Sequence, residues 1–363
     1  MRFEAERDTV PEAKRKGRGA ITNRTNRYET YVTVAVDDGW PQDPDMPPVR
    51  TEVAFERPRT AITRNTSPDL SFDRSLNPYR GCEHGCIYCF ARPSHAWLGL
   101  SPGLDFETRL IARPAMPEVL EAELARKSYR SRMIAIGTNT DPYQPIEGRL
   151  QVVRGLLNVL SEHRHPVGVV TKGTLIERDI DVLGEMGQAG LAHVGVSVTT
   201  LDPEVARLME PRVPHPLRRL QTIERLAKAG IPVRVMVSPV VPALTDHETE
   251  AILHAARDAG ATAASAILLR LPREVSPLFR EWLSENFPER AKRIMGRVRE
   301  LHGGRDYDPE WGKRLTGEGL YADLFQQRFA LAVRKLGFQR DLPALRTDLF
   351  SVPQRSGAQL SLF

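Results

Sequence analysis

The sequence predicts an α/β fold built on a parallel sheet, and three observations carry that prediction. Short apolar runs alternate with amphipathic stretches from about Ser71 to Pro272. The runs are near-continuous in apolar residues, as strands buried on both faces are. Several amphipathic stretches stop at a glycine just before the next run, at Gly190, Gly230 and Gly260. That is a helix stop followed by a strand start. Strands alternating with helices mean parallel pairing through right-handed crossovers.

Taken in order, the strand-like runs lie near Ser71–Asn77, then at Met133–Gly137, Pro166–Thr171, His193–Val198, Val233–Val237 and Ala264–Leu269. The helical stretches between them include Leu150–His163, Leu175–Met186, Pro216–Ala229 and His247–Ala259. In the first of these, Leu150, Val153, Leu157 and Leu160 share one face at helical spacing. The pattern amounts to six βα units spanning residues 66–275. Such an array forms either a partial barrel or an open sheet, and periodicity alone leaves both open. Residues 276–340 turn helical, with Phe279, Trp282, Phe325 and Phe329 as candidate packing residues. Residues 341–363 lose periodicity and read as a flexible tail.

Residues 1–65 differ from the rest and read as a basic, partly flexible extension. Between Ala13 and Tyr28 stand six basic residues (Lys14, Arg15, Lys16, Arg18, Arg24, Arg27) and no acid. A β-like run follows at Tyr31–Val36, then a Pro- and Asp-rich loop at Asp37–Pro48. The basic run fits either phosphate contact or a solvated arm.

The chain has 363 residues, of which 41% are hydrophobic and 27% charged, so a globular core is expected and wholesale disorder is excluded. No apolar run approaches the length of a membrane span, and the N-terminus carries no apolar signal segment. The net charge of +5 permits a nucleic-acid partner without requiring one.

The three cysteines, Cys82, Cys86 and Cys89, fall within eight residues as C-x3-C-x2-C, directly after the first expected strand. An odd count so closely spaced is no disulfide framework. Three thiolates in one loop can wrap an iron–sulfur cluster, and a 4Fe–4S cube held by three ligands keeps one iron open for substrate or cofactor. Gly81 and Gly85 allow close backbone approach to such a group. A Cys3His zinc site using His84 is the chemical alternative.

With Tyr88 just before the last cysteine, this motif resembles that of the radical S-adenosylmethionine (radical SAM) superfamily. Gly137-Thr138-Asn139-Thr140-Asp141-Pro142-Tyr143-Gln144-Pro145, Thr171-Lys172 and Arg178-Asp179-Ile180-Asp181-Val182-Leu183 resemble the branch containing spore photoproduct lyase and the DNA repair photolyases. The resemblance covers roughly residues 70–275. It implies a partial (β/α)6 TIM-like barrel with an N-terminal extension and a C-terminal helical segment. It implies a 4Fe–4S cluster on Cys82, Cys86 and Cys89, whose open iron chelates S-adenosylmethionine. One electron, from a reductant such as flavodoxin or ferredoxin, then cleaves the cofactor to a 5′-deoxyadenosyl radical that removes a hydrogen atom from substrate. The protein's part is binding, orientation and exclusion of side reactions.

The same resemblance assigns the cofactor site to polar residues at the ends of the strands. Thr138, Asn139 and Thr140 follow the second strand, and Thr140 is expected at the methionine amino group. Lys172 is expected at the carboxylate, where a point-charge ammonium suits it. Ser197 and Thr199 are expected at the ribose hydroxyls, and Ser238 at the adenine or methionine end. Spore photoproduct lyase returns a hydrogen atom from a cysteine after its second strand. That place falls near Thr138 here, and the chain has no fourth cysteine. Tyr79, Tyr88 and Tyr143 are therefore the candidates for a hydrogen or radical relay. DNA is the expected substrate, with RNA or protein as the alternative.

The last five residues, Gln359-Leu360-Ser361-Leu362-Phe363, resemble the bacterial sliding-clamp-binding pentapeptide. Leu360, Leu362 and Phe363 would fill apolar pockets and Gln359 would bond a polar rim. These readings place the chain in a bacterial cytoplasm, at the nucleoid. A non-enzymatic zinc or cluster adaptor that binds clamp and DNA is the reading from another class.

Overall fold

The computed structural model describes residues 10, 12, 15–29 and 49–354. The run Tyr31–Val36, the loop Asp37–Pro48 and the terminal Gln359–Phe363 lie outside the described residues.

Among the described residues ten strands are β1 Glu52–Phe55, β2 Ile62–Arg64, β3 Arg74–Leu76, β4 Tyr79–Arg80, β5 Arg109–Ala112, β6 Ile134–Ile136, β7 Val167–Thr171, β8 Ala192–Ser197, β9 Val233–Val240 and β10 Ala263–Leu268. A seven-stranded sheet runs β10-β9-β8-β7-β6-β3-β2. The six expected strands are its parallel members, each adjacent to the next in chain order. β2 adds an antiparallel edge beside β3, which the apolar pattern does not foretell. Among the described residues β10 and β2 do not pair, so the barrel is partial and unclosed. A second, three-stranded sheet, β1-β5-β4, is likewise beyond what the pattern predicts.

The strands form where the apolar runs lie because both faces are covered. Ile134, Ile136, Val167, Val169, Val194, Val196, Val233 and Val235 are all buried. Helices lie on the outside, among them Val152–Glu162, Ile180–Gln188, Pro216–Lys228 and Thr249–Asp258. Val152–Glu162 buries Val153, Leu156, Leu157 and Leu160, the i, i+3, i+4, i+7 face. Gly190, Gly230 and Gly260 all adopt positive φ at the helix ends. The C-terminal helices are Val275–Asn286, Pro288–Leu301 and Leu320–Lys335. Phe325 and Phe329 stack 6.2 Å apart against the sheet's outer layer. Among the described residues no helix is long and apolar enough to cross a membrane.

Both loose ends make contacts with the core over the described residues. The basic run is not a free arm: Arg15, Arg24 and Arg27 pair with Glu285, Glu281 and Glu274. Of residues 341–363, expected as a flexible tail, the stretch from Arg346 to Ser351 is tied to the core. The Arg346 amide donates to Gly190 O at 2.9 Å and the Ser351 amide to His163 O at 3.0 Å. Phe350 packs edge-on to His165.

Because the six strands are parallel, their C-terminal ends and the loops that follow all open on one end of the sheet. The cysteine loop follows β4 at that end, and the strand-end polar residues lie there with it.

Candidate functional site

The cysteine loop is held by buried polar side chains around it. The Cys82 amide donates to Phe106 O at 2.9 Å. Gly81 has φ +77°, and a Cβ there would sit 2.8 Å from Phe106 O, so the tight entry requires glycine. Gln144, fully buried, accepts from the Glu83 amide at 2.9 Å and donates to Gly81 O at 3.2 Å. Arg92 is 0% exposed. Its Nε donates to Cys86 O at 3.0 Å, and its other nitrogens to Gly85 O, Pro102 O and Gly103 O. Its charge is met by Glu107, also 0% exposed, at 2.5 Å. Glu107 accepts in turn from the Gly19 and Ala20 amides, both at 2.9 Å. One buried ion pair thus joins the cysteine loop to the N-terminal segment.

Cys82 and Cys86 are buried and Cys89 half-buried. Burial pushes all three thiols up, helped for Cys82 by Asp141 and for Cys86 by Glu210. The Cys82 thiol feels those of Cys86 and Cys89, so the three sulfurs share one electrostatic neighbourhood. Such thiols become ligands when a cation replaces their protons. The donor set fits a 4Fe–4S cluster: three thiolates on one loop, each free to take its own iron. It fits a single zinc poorly. His84 turns away toward Asp141, its Nδ1 3.4 Å from the carboxylate. Among the described residues no three His, Cys, Asp or Glu side chains converge on one metal position.

Asp141, inside the Gly137–Pro145 stretch but not singled out there, is a corner post of the site. It accepts from Thr171 Oγ1 at 2.6 Å, the Lys172 amide at 2.7 Å and the Tyr143 amide at 2.9 Å. Burial alone would raise its pKa, but His84, Thr171 and the Lys172 amide hold it below the usual value.

Most of the strand-end residues converge on a second unforeseen carboxylate, Glu210, which ends the helix Pro203–Met209. Lys172 Nζ lies 3.3 Å from Glu210, donates to Ser197 Oγ at 2.5 Å and to Ser238 O at 3.1 Å, and stands 5.7 Å from the Tyr88 ring centroid. Tyr88 donates its hydroxyl to Glu210. Arg219 pairs with Glu210 at 2.9 Å and donates to Ser197 O at 3.0 Å. Thr199 is fully buried near Glu210, and among the described residues its hydroxyl has no hydrogen-bond partner. Burial opposes that charge, yet Arg219, Lys172 and Tyr88 outweigh it and bring the Glu210 pKa to about 2. Tyr88 moves the other way, pushed up by burial, then by Cys86 and Glu210. The Ser238 Oγ is buried without a hydrogen-bond partner among the described residues.

Lys172, Ser197, Thr199, Ser238 and Tyr88 therefore come together beside Cys86. Thr140 is tied back, its hydroxyl donating to Tyr79 O at 3.0 Å, with Thr138 and Asn139 half-buried just before it. Tyr79 and Tyr143 sit elsewhere. Their hydroxyls donate to Glu147 and Asp179, two buried carboxylates that Arg178 bridges. Both belong to the main core, whereas Tyr88 packs with Cys86. Arg92, Glu107, Asp141, Gln144, Glu210 and Arg219 are site residues that the sequence alone does not single out. Asp141 and Gln144 at least stand inside a motif that carries the family resemblance.

Comparison with known proteins fits this geometry. The profile of the radical SAM superfamily matches residues 76–256. An uncharacterised protein of Mycobacterium tuberculosis is 37% identical over 263 residues, 72% of this chain and 76% of its own length. Another, from Methanocaldococcus jannaschii, is 25% identical over 174 residues, 48% of this chain and 62% of its own length. Among solved structures, spore photoproduct lyase complexed with dinucleoside spore photoproduct has a TM-score of 0.57 at 14% identity, covering 79% of this chain and 80% of that one. A variant of the same enzyme with bound AdoMet and dinucleoside spore photoproduct has a TM-score of 0.58 at 13% identity over the same shares. At such identity the likeness is one of fold. A cysteine triad in a braced loop, set at the strand ends of a partial barrel, together with these matches, places the chain in the radical SAM superfamily, as an enzyme using a 4Fe–4S cluster and S-adenosylmethionine.

Proposed function

We propose that this enzyme repairs or modifies DNA and that its C-terminal Gln359–Phe363 tethers it to the bacterial sliding clamp. The observation that carries the DNA reading is the fold likeness, over 79% of the chain, to an enzyme complexed with a dinucleoside photoproduct. The basic balance of the chain, +5, agrees with an anionic substrate. The tail reading rests on its sequence alone.

In this reading Cys82, Cys86 and Cys89 hold the cluster, which when loaded supplies the electron that cleaves S-adenosylmethionine. The chain's own residues bind and orient. Lys172 and Glu210 present a cation beside an anion, complementary to an amino-acid end that carries both charges. Thr140 has spent its proton on Tyr79 O, so its oxygen remains an acceptor suited to an amino group. Thr138, Asn139, Ser197, Thr199 and the Ser238 hydroxyl line the rest. Of the three tyrosines, Tyr88 is our candidate for a relay, and its hydroxyl's bond to Glu210 beside Cys86 supports that reading.

The test begins with anaerobic reconstitution and spin resonance of the reduced protein, with and without S-adenosylmethionine. A 4Fe–4S signal that shifts on adding the cofactor is expected. Oligonucleotides bearing defined photoproducts then serve as substrates, and conversion coupled to 5′-deoxyadenosine is the expected result. Turnover on RNA or a protein but not on DNA would overturn the substrate reading. A colourless, zinc-holding protein that ignores the cofactor would overturn the enzyme reading for the adaptor. Deleting Gln359–Phe363 should abolish clamp capture in a pull-down and leave cofactor cleavage intact. Unchanged capture would remove the tail reading.

A further inference from the structure

A cavity of about 680 Å³ opens beside the cysteine loop, and five of the eight residues lining it are cations, the others being Gly17, Val49 and Pro211. Lys16 and Arg18 come from the N-terminal segment, Arg50 from the approach to β1, and Arg207 and Arg212 from the helix Pro203–Met209 and the turn after it. Among the described residues no acid lines it, and only Arg212 of these five cations is ion-paired, to Glu83 at 3.2 Å.

Arg18 and Arg212 are held in place, while Lys16, Arg50 and Arg207 are exposed around them. Arg18 donates to Glu107 O at 2.9 Å and to Val49 O and Thr51 Oγ1, both at 3.0 Å. Three of its donors are thereby committed, and the guanidinium is fixed in place without a directly bound carboxylate. Burial lowers the Arg18 pKa, and the like charge of Arg212 lowers it further. Glu107 and Glu83 offset part of the repulsion between the two guanidinium groups, and a bound anion would offset more of it. Gly19 secures this wall: a Cβ there would sit 1.9 Å from Gly85 O, so the segment lies directly against the cysteine loop. On the other side the Arg212 amide donates to His84 O at 3.3 Å.

We infer that this cavity is a phosphate-binding groove for the phosphodiester backbone of the nucleic-acid substrate, built by the N-terminal segment against the cluster loop. Arginine forks suit phosphate oxygens better than single ammonium groups do, and four of the five cations are arginine. A concave cleft lined from two sides suits a strand of phosphates more than the broad face of an acidic protein. The inference rests on the DNA reading above and deepens it by naming where the backbone is held.

The test is fluorescence anisotropy of the full chain, cluster-loaded, with a labelled duplex across a salt series. Arg50 and Arg207 are exposed and outside the cofactor machinery, so Arg50→Ser/Arg207→Ser should fold and keep its iron. Every phosphate left without its cation lowers the slope of log affinity against log salt by about 1. The double variant should therefore drop by up to about 2 in slope and bind at least about tenfold more weakly at low salt. Arg50→Lys/Arg207→Lys should recover most of that slope, and chemically reduced cofactor cleavage should be unchanged in both. A double serine variant that binds DNA like the wild type overturns the groove and leaves the DNA reading standing. A wild type that binds no DNA overturns both. Loss of activity only when an acidic redox protein supplies the electron, with DNA binding intact, overturns the groove in favour of a docking face for the donor.

Discussion

Arg92 and Glu107 show how much of this site depends on single buried charges. Each is fully buried, and between them they bind Cys86 O, Gly85 O and the Gly19 and Ala20 amides. Removing one partner of such a pair leaves the other charged and unsolvated, a loss of about 3–5 kcal/mol. Arg92→Met should therefore lower stability by that order and reduce the iron retained on reconstitution. Denaturant unfolding and an iron-to-protein ratio check both, and unchanged values would show that the loop stands without its brace. His165 offers a pH-dependent case. Its ring is fully buried between the Tyr129 hydroxyl at 2.7 Å and Pro166 O at 3.0 Å. Burial, then Arg74 and His163, bring its pKa down to about 4 from 6.5. An unfolded chain takes up this proton below about pH 6.5 while the folded one resists it. The stability due to the neutral ring is thus complete above pH 6.5, falls by up to about 3 kcal/mol toward pH 4, and levels off below. His165→Gln should flatten that part of the profile in urea midpoints measured from pH 7.5 downward. An unaltered slope would mean the ring titrates normally.

At the scale of elements, the six parallel strands are legible because each is an apolar run covered on both faces, and the pattern survives without tertiary context. β1 and β2 are not. Glu52–Phe55 and Ile62–Arg64 are short and largely exposed, so neither period nor hydrophobicity marks them. They pair because β5 and β3 offer edges, a fact of the fold and not of their own sequence. The site divides the same way. The cysteine spacing is local and readable. Glu210 reaches Tyr88 across 122 residues, and no local signal distinguishes it from an ordinary acid ending a helix. Helix Val152–Glu162 gives an element-level test. Leu157 is fully buried in the outer layer, and Leu157→Ala should cost about 2–5 kcal/mol. The strand-end cluster lies apart from it, so cofactor-induced spectral shifts in the folded fraction should remain. Loss of those shifts at full iron content would show that the helix positions the site directly.

At the scale of the whole molecule, residues 15–29 act as a strap joining the cysteine loop to the C-terminal helix Val275–Asn286. Glu107 receives the strap within its length, at Gly19 and Ala20, while Glu285 receives Arg15 before that point and Glu281 and Glu274 receive Arg24 and Arg27 after it. The three outer pairs are partly exposed, and each contributes only about 0.2–1 kcal/mol. Their combined loss would not unfold the domain, but it would free the strap locally, since low-stability segments open without global unfolding. Glu274→Gln/Glu281→Gln/Glu285→Gln should thus lower the melting temperature by only a few degrees, by the usual conversion of about 1–2 kcal/mol for a chain this size. Limited proteolysis should cut within residues 15–29 several-fold faster. Because the same segment carries Lys16 and Arg18 into the cationic cavity, its release should also weaken duplex binding, with iron content and chemically driven cofactor cleavage retained. Faster cutting with full duplex affinity would separate the strap from the cavity, leaving Arg50, Arg207 and Arg212 to hold the backbone alone. Unchanged cutting would mean that Glu107 and the close approach of Gly19 to Gly85 suffice to hold the strap.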